Sequence, residues 1–579
     1  MRLIASLLLC TMLCAWTTIT EGSEFSERVR KWFSEIPADQ QKFFEWETKS
    51  IEEGVARGDA KSQYILGVSC LLDDRKDYAG ALLWLGKAAE QGHAMASFIL
   101  GSMYEDGEGV GRDHARAHEL YERAARNGEP KAMLHLGNIY LEGRGVPADK
   151  ARALEWFLKA AEKGSAHAQY NAGSMYLEGE GTQQDFARAR ELYEKAAVQG
   201  EVRSIHGLGI MYARGMGVKQ DFARARQYFE TAAEKGLESA MSSLGLMYEN
   251  GDGVPQDYVK AREWYAKAAA RGWPQAQTRL GRLYRDGKGG PQDMAQARDQ
   301  FMQASAQGHA EADVLLGLMY VRGQGGEKDY ARAREYFERA AAAGSGMGMS
   351  NLAAMYHNGR GVQKDYAKAR ELYEKAAQMG GTGGAAESGV AVLYLYGLGV
   401  EKDHVKARDW FERAAAQGNA RAMNAVGAFY AGGRGVPRDY VKAAEWYEKA
   451  AAAGDRVGML NLGMLSIRGD AGKQDFVRAR DLFLKAGELG EAGAFSALGA
   501  MYAEGTGVPV DYVKAREYFE RAIALGDIAP MCNIGLMYLL GQGVNQDDAA
   551  ARSWFLKACD AGFQPGCTWA DKIDQMKRR

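Results

Sequence analysis

Clustered basic charge is what this 579-residue chain lacks first of all. It carries 73 Lys and Arg against 75 Asp and Glu, and its longest unbroken basic run is the closing Lys577-Arg578-Arg579. Nucleic-acid binding needs grouped positive charge to neutralise phosphates, so that class of partner is excluded. Long apolar runs are missing too. Leu3 to Trp16 is about 14 mostly apolar residues behind Arg2, too short to span a bilayer comfortably, and Thr18-Ile19-Thr20-Glu21-Gly22 follows with small residues. This reads as an export signal over 1–22. Cys10 and Cys14 each follow a Leu where a lipid-anchored precursor would carry a small residue, so plain cleavage is expected. No later stretch can cross a membrane, and the mature chain is expected in the periplasm or the medium. Cysteine is scarce: of six, only Cys70, Cys532, Cys559 and Cys567 outlast the signal. None has a His nearby in sequence, which argues against a catalytic thiol. Glycine is abundant, at 72 residues, but it is periodic, so the chain is not a disordered low-complexity polymer.

What is present is one pattern repeated. The Gly of Leu-Gly-x-Met-Tyr falls at 101, 137, 173, 209, 245, 281 and 317, every 36 residues. The slot then holds Ala353 and Ala391, followed by Gly427, Gly463, Gly499 and Gly535. A shorter copy centres on Gly67. Fixed-period self-similarity is the mark of a solenoid, whose units bury their apolar faces only against neighbours. The question of function then moves from a catalytic pocket to what an extended surface holds.

Within one copy, residues 129–164, a first helix of about a dozen residues ends near Tyr140, and Gly143 and Gly145 break it. Asp149 starts a second helix and Gly164 ends it. Asp takes that starting place in all thirteen full copies, from Asp113 to Asp547, and Gly stands fifteen residues later in each. A carboxylate there accepts from free backbone N–H groups, and Gly tolerates the left-handed conformation that closes helices. Between them, Ala at Asp+4, Tyr or Phe at Asp+8 and Ala at Asp+11 share one helical stripe. Gly in the first helix costs ~1 kcal/mol against Ala, so its recurrence calls for close backbone contact.

The string Ala-x-x-x-Leu-Gly-x-x-Tyr…Gly-x-Gly-Val…Asp…Lys/Arg-Ala…Trp/Tyr-Tyr/Phe…Lys-Ala-Ala…Gly over residues 60–562 resembles the Sel1-like repeat (SLR), a relative of the tetratricopeptide repeat. The resemblance implies an all-α, right-handed α/α superhelical solenoid of about 14 helix pairs, an interaction scaffold rather than an enzyme. The expected organisation is a signal (1–22), a capping helix (23–58), a first SLR block (59–379), a Gly-rich seam (380–389), a second block (390–562) and a C-terminal cap (563–579). Lys-Ala-Cys559-x7-Cys567 resembles the disulfide hairpin of cysteine-rich SLR proteins, which implies a Cys559–Cys567 bridge. Cys532 lies in the slot of Cys567 but faces Ala524, so it and the distant Cys70 are expected free and buried.

Other candidate chemistry has a plainer reading. His114 and His118 lie one turn apart without the further ligands of a zinc motif. The Gly-rich loops follow helices, not strands. Arg468-Gly469-Asp470 spells an adhesion tripeptide inside an irregular copy, where Ser466 replaces the usual Tyr. No metal or cofactor is expected.

Counted from the first-helix Gly, positions −5, −1, +2 and +3 form the core face, whereas −6, −3, +1 and +4 vary between copies. In tetratricopeptide-like stacks the latter stripe lines the concave side. The candidate contact residues are therefore Phe98, Leu134, Asn138, Leu141, Tyr170, Ser174, His206, Ile210, Leu246, Arg282 and Leu318, mixing apolar anchors with polar groups as an extended peptide requires. The expected function is an exported, monomeric scaffold binding proteins or peptides, in host–bacterium contact or envelope assembly. One alternative is a hydrolase acting on β-lactams or cell wall, as suggested for some cysteine-rich SLR proteins; the Ser-x-x-Lys and Lys-Thr-Gly strings of the serine enzymes are absent. Another is a lumenal adaptor of the endoplasmic reticulum, against which the Lys577-Arg578-Arg579 ending counts.

Overall fold

The computed structural model describes residues 49–72 and 77–578. The expected signal lies outside them, as does most of the expected capping helix, of which residues 49–56 are helical with Ile51 buried. Every regular element among the described residues is a helix. They come in antiparallel pairs, such as Pro130–Glu142 with Lys150–Glu162 and Ala166–Glu178 with Phe186–Val198. Within each of the two compact units described below, the helices pack on their partners and on the next pair, so the chain is an all-α repeat solenoid.

The recurring Asp acts twice. Its backbone N–H ties the loop to the first helix, as where Asp149 donates to the Tyr140 carbonyl at 2.8 Å. Its carboxylate then accepts from the first turn of the second helix, as where Arg152 N–H donates to Asp149 Oδ1 at 3.0 Å. The same side-chain cap recurs at all thirteen positions from Asp113 to Asp547. A fourteenth sits at Asp77, which caps Tyr78–Glu90; the short first copy had concealed it.

The stripe of Ala, aromatic and Ala is the core. Ala153, Phe157 and Ala160 are all fully buried, and burying one such Phe contributes roughly 1.5–3 kcal/mol. The Phe157 ring lies so close to Gly137 that a Cβ there would sit 2.4 Å from a ring carbon. That contact is why Gly persists mid-helix. In the loop, Gly145 has φ +72°, and a side chain on it would meet His114 of the preceding pair at 2.7 Å, so this glycine sets how closely one pair seats on the next.

A second recurring contact joins the two helices of a pair. Gln91 donates to Gln63 Oε1 at 2.7 Å, Gln199 to Gln169 at 2.9 Å and Gln307 to Gln277 at 3.0 Å. In a fourth pair Gln417 donates to Glu387 Oε1. Gln63, Gln169, Gln277 and Glu387 are buried, and each staple satisfies a polar group that would otherwise be costly there.

The chain divides into two compact units. One runs up to Ala276 and includes Lys288–Gly290; the other comprises Gln277–Gly287 and Pro291–Arg579. The Gly-rich stretch lies inside the second. There Gly380, Gly381, Gly383 and Gly384 all have positive φ, Asn419 donates to the Gly383 carbonyl at 3.2 Å, and Gly384 N–H donates to Gln417 Oε1 at 3.1 Å. At the C-terminal end, Cys559 and Cys567 are disulfide-bonded. Arg552 holds Asp574 of the last helix, Gln564–Arg578, through two hydrogen bonds of 2.7 and 2.8 Å. Cys70 and Cys532 are buried and lie outside that bridge.

Candidate partner-binding face

First helices of successive repeats lie side by side, so the variable stripe is a row of side chains that also touch the next repeat. All eleven candidate residues are half-buried. Packing therefore constrains this stripe more than its variability between copies suggests.

In the first unit the stripe carries exposed ring surface. Phe98 packs edge-on against His135 of the next repeat, 5.2 Å between centroids, and leans on Tyr121 at 5.6 Å. Leu134 and Leu141 cover the core around Phe157. Tyr170 stacks on Tyr193 at 5.8 Å, and the Arg203 guanidinium stands 4.3 Å from its ring centroid. Arg203 is held in place by Glu201 at 2.8 Å, a carboxylate that is almost fully buried. Ser174 shares a hydrogen bond of 2.9 Å with the Tyr193 hydroxyl. Asn138, Ile210 and Leu246 continue the row.

His206 differs from its neighbours. Its ring packs on Phe229 at 5.3 Å, Nε2 is 3.0 Å from Ser243 Oγ and Nδ1 is 3.4 Å from Ser239 Oγ. Burial pushes its pKa down to about 4, so it is a neutral hydrogen-bonding residue at pH 7. In the second unit, Arg282 is ion-paired with Glu311 of the next repeat, and Leu318 packs over the Val314 and Phe337 core. At the −3 position Thr278, Val314, Ser350 and Cys532 of the second unit are buried, whereas Ser388, Asn424, Leu460 and Ser496 of that unit are partly exposed, as Phe98, Leu134 and Tyr170 are in the first.

One charged cluster borders the first unit's stripe. Glu105, whose side chain is only 10% exposed, accepts from the Tyr121 hydroxyl at 2.7 Å and is ion-paired with Arg144 of the next repeat. Nδ1 of His135 faces it at 3.8 Å, an ion-pair distance rather than a hydrogen bond. These groups, His135 first and then Tyr121 and Arg144, hold the Glu105 carboxyl down to about 2 against the opposing effect of burial. Glu201, Arg203, His135 and Arg144 escaped the sequence reading; Arg203 alone lies on the −6 stripe that would have pointed to it.

The remaining motifs resolve into structure. His118 Nε2 lies 3.2 Å from the Tyr140 hydroxyl, and no group of three metal-ligating side chains occurs among the described residues. Asp470 of the Arg-Gly-Asp tripeptide is paired with Arg468 at 3.1 Å. Burial pushes the Cys532 thiol pKa up. Among the described residues no helix is long and apolar enough to cross a membrane.

The Sel1 repeat profile matches fourteen consecutive segments, from residues 60–93 and 94–129 through to 496–527 and 531–563. No curated protein matches. Among solved structures, a protective antigen with an SLR fold from uropathogenic Escherichia coli is 34% identical, over 76% of this chain and 93% of that one, with a TM-score of 0.51. A Sel1 repeat protein from Oxalobacter formigenes is also 34% identical, over 54% and 90%, with a TM-score of 0.41. One from Klebsiella pneumoniae is 28% identical, over 35% and 99%, with a TM-score of 0.27. Repeat solenoids of this kind are in general protein-binding scaffolds without catalysis of their own, and with its fourteen repeats this chain belongs to the Sel1 repeat family.

Proposed function

We propose that this protein is an exported, non-catalytic scaffold that holds an extended segment of a protein partner along the first-helix stripe of its first unit. The observation that carries this reading is the row Phe98, Leu134 and Tyr170, three large apolar side chains that stay partly exposed at the same position of successive repeats, whereas in the second unit Leu460 alone does so, between Asn424 and Ser496. Tyr170 under a fixed Arg203 offers both a flat apolar face and a positive charge, a combination suited to aromatic and acidic side chains of a peptide. Export is supported by the Arg2 to Gly22 pattern in sequence and is consistent with a disulfide at the C-terminal end. The 34% identical relative from uropathogenic Escherichia coli is described as a protective antigen, which favours host contact over envelope assembly as the setting.

The test is capture of partners from envelope and host extracts by the mature chain, followed by the variants Leu134→Ala and Tyr170→Ala. Recovery of a partner that falls at least about fivefold with Tyr170→Ala, at unchanged helicity, is the expected result. Undiminished capture by both variants would remove the stripe from consideration.

A further inference from the structure

Ser466 breaks the repeat at a place where the repeat itself states what belongs there. Three residues after the first-helix Gly or Ala slot, twelve of the thirteen full copies carry Tyr, including Tyr430 before it and Tyr502 after it; only Ser466 departs. In at least nine of those twelve repeats that ring sits under a Lys or Arg from the second helix. Lys442 lies 5.6 Å from the Tyr430 centroid and Lys514 lies 5.4 Å from that of Tyr502. Arg188 and Arg224 also donate to the phenol oxygens of Tyr176 and Tyr212, at 3.1 and 3.4 Å.

At Ser466 the cation is present and the ring is not. Arg478 stands at the place of Lys442 and Lys514. Lacking a ring to cover, it turns to Glu448 of the preceding repeat. Both partners are about half exposed, so the pair is weak and readily exchanged. The Ser466 hydroxyl donates to the Leu462 carbonyl of its own helix at 2.9 Å and does not fill the space. What remains is an open cleft of about 320 Å³ floored by Leu462 and Leu465, walled by Ala444 and Val441, and rimmed by Ser466 and Arg478. Val441 is 55% exposed and extends the apolar wall outward. The loop beside it is altered as well: Ala471 replaces the usual second loop glycine.

We propose that this cleft is a binding site for an aromatic side chain, tyrosine by preference, presented by an extended segment of a protein partner. The incoming ring takes the place of the repeat's own Tyr, over Leu462 and Leu465, while Arg478 releases Glu448 and covers its face. The guanidinium donates to the phenol oxygen as Arg188 does to Tyr176, which is what selects tyrosine over phenylalanine. Glu445 and Glu448 on one side and Lys473 on the other give the flanking main chain polar contacts. The site belongs to the second unit and is independent of the first-helix stripe.

The experiment titrates the full-length protein with a heptapeptide Ser-Gly-Ser-Tyr-Ser-Gly-Ser, the same peptide with Leu for Tyr, and N-acetyl-tyrosinamide, read by calorimetry or NMR shifts. Saturable binding of the tyrosine peptide is expected, about tenfold weaker with leucine. Ser466→Tyr supplies the ring from within; it should keep or raise Tm and abolish binding. Arg478→Gln lies on the surface, leaves the fold alone and should weaken binding about two- to fivefold; it carries the test should Ser466→Tyr fail to fold. No saturable binding, equal binding of the leucine peptide, undiminished binding by Ser466→Tyr, or indifference to Arg478→Gln would each overturn the proposal. Binding of N-acetyl-tyrosinamide but not of the peptide would overturn the protein partner in favour of a small aromatic ligand.

Discussion

The Phe157 ring rests on the backbone of Gly137, with no room between them for a single methyl group. The same meeting of helix glycine and second-helix ring recurs at Gly173 with Tyr193, Gly245 with Tyr265 and Gly463 with Phe483. Two opposing terms act on Gly137→Ala. Helix propensity favours Ala by ~1 kcal/mol, whereas a Cβ 2.4 Å from a fully buried ring overpacks the core, at about 1–3 kcal/mol. The steric term wins because the ring is confined by Ala153 and Ala160, both fully buried. Urea unfolding of Gly137→Ala should show a loss of about 1–2 kcal/mol, partly restored by Phe157→Leu in the same chain. A more stable single variant would show that the ring can slide aside.

Nature has run part of that experiment at Ala353 and Ala391. Their partner rings, Tyr373 and Phe411, are each 6% exposed, against 0–4% for the rings that face a glycine. At Tyr373 the close approach passes to the following repeat, where a Cβ on Gly389 would lie 2.6 Å from the ring. This bears on what the sequence could reveal. Asp caps, Gly stops and the Ala-aromatic-Ala stripe are legible because each is a local rule acting within one helix. The Gln staples are not, because Gln169 and Gln199 lie on different helices and neither position keeps its residue in every copy. The half-burial of the Phe98 to Leu318 stripe was equally hidden, since it depends on how closely adjacent first helices approach. Ser466 was visible as an irregularity, but its meaning needed the position of Arg478.

Acid should loosen the contact between the first two full repeats. The folded Glu105 carboxyl titrates at about 2, below its ordinary value, so its contribution is complete above pH ~4.5 and is lost as pH falls toward 2. Arg144 and His135 are partly exposed, and with that screening the contribution is about 1–2 kcal/mol. Stability measured from pH 6 to pH 2 should fall less steeply for Glu105→Gln than for the native chain. Parallel curves would mean that Tyr121 and Arg144 do not stabilise the charged form.

Reduction should act at one end only. The Cys559–Cys567 bridge closes a short loop between the last repeat and the terminal helix, worth roughly 2–3 kcal/mol in the chain-entropy picture. After reduction, amide exchange should speed up across Gln564–Arg578, while the bidentate Arg552–Asp574 contact retains part of the protection. Exchange in a distant pair such as Pro130–Glu142 with Lys150–Glu162 should not change, because that pair contacts its neighbouring repeats and not the C-terminal one. Acceleration spread over the whole chain would contradict that local coupling.

The Gln417–Glu387 contact gives the sharpest test of the staples, because here one partner is a carboxylate. Glu387 is 2% exposed and receives hydrogen bonds from Gln417 and, at 3.2 Å, from Thr382. Gln417→Leu removes a donor from a buried acid and also the acceptor that Gly384 N–H uses at 3.1 Å. Stranding two buried polar groups costs about 1–3 kcal/mol each before relaxation, so a loss of roughly 2–4 kcal/mol is expected in thermal or urea unfolding. Glu387→Gln acts differently: it recreates the Gln–Gln pairing found between Gln169 and Gln199 and avoids burying a charge. It should be neutral or slightly stabilising. If Glu387→Gln costs as much as Gln417→Leu, the negative charge itself holds Gly380–Gly384 in place, and the amide pair of the sister repeats is not its equivalent.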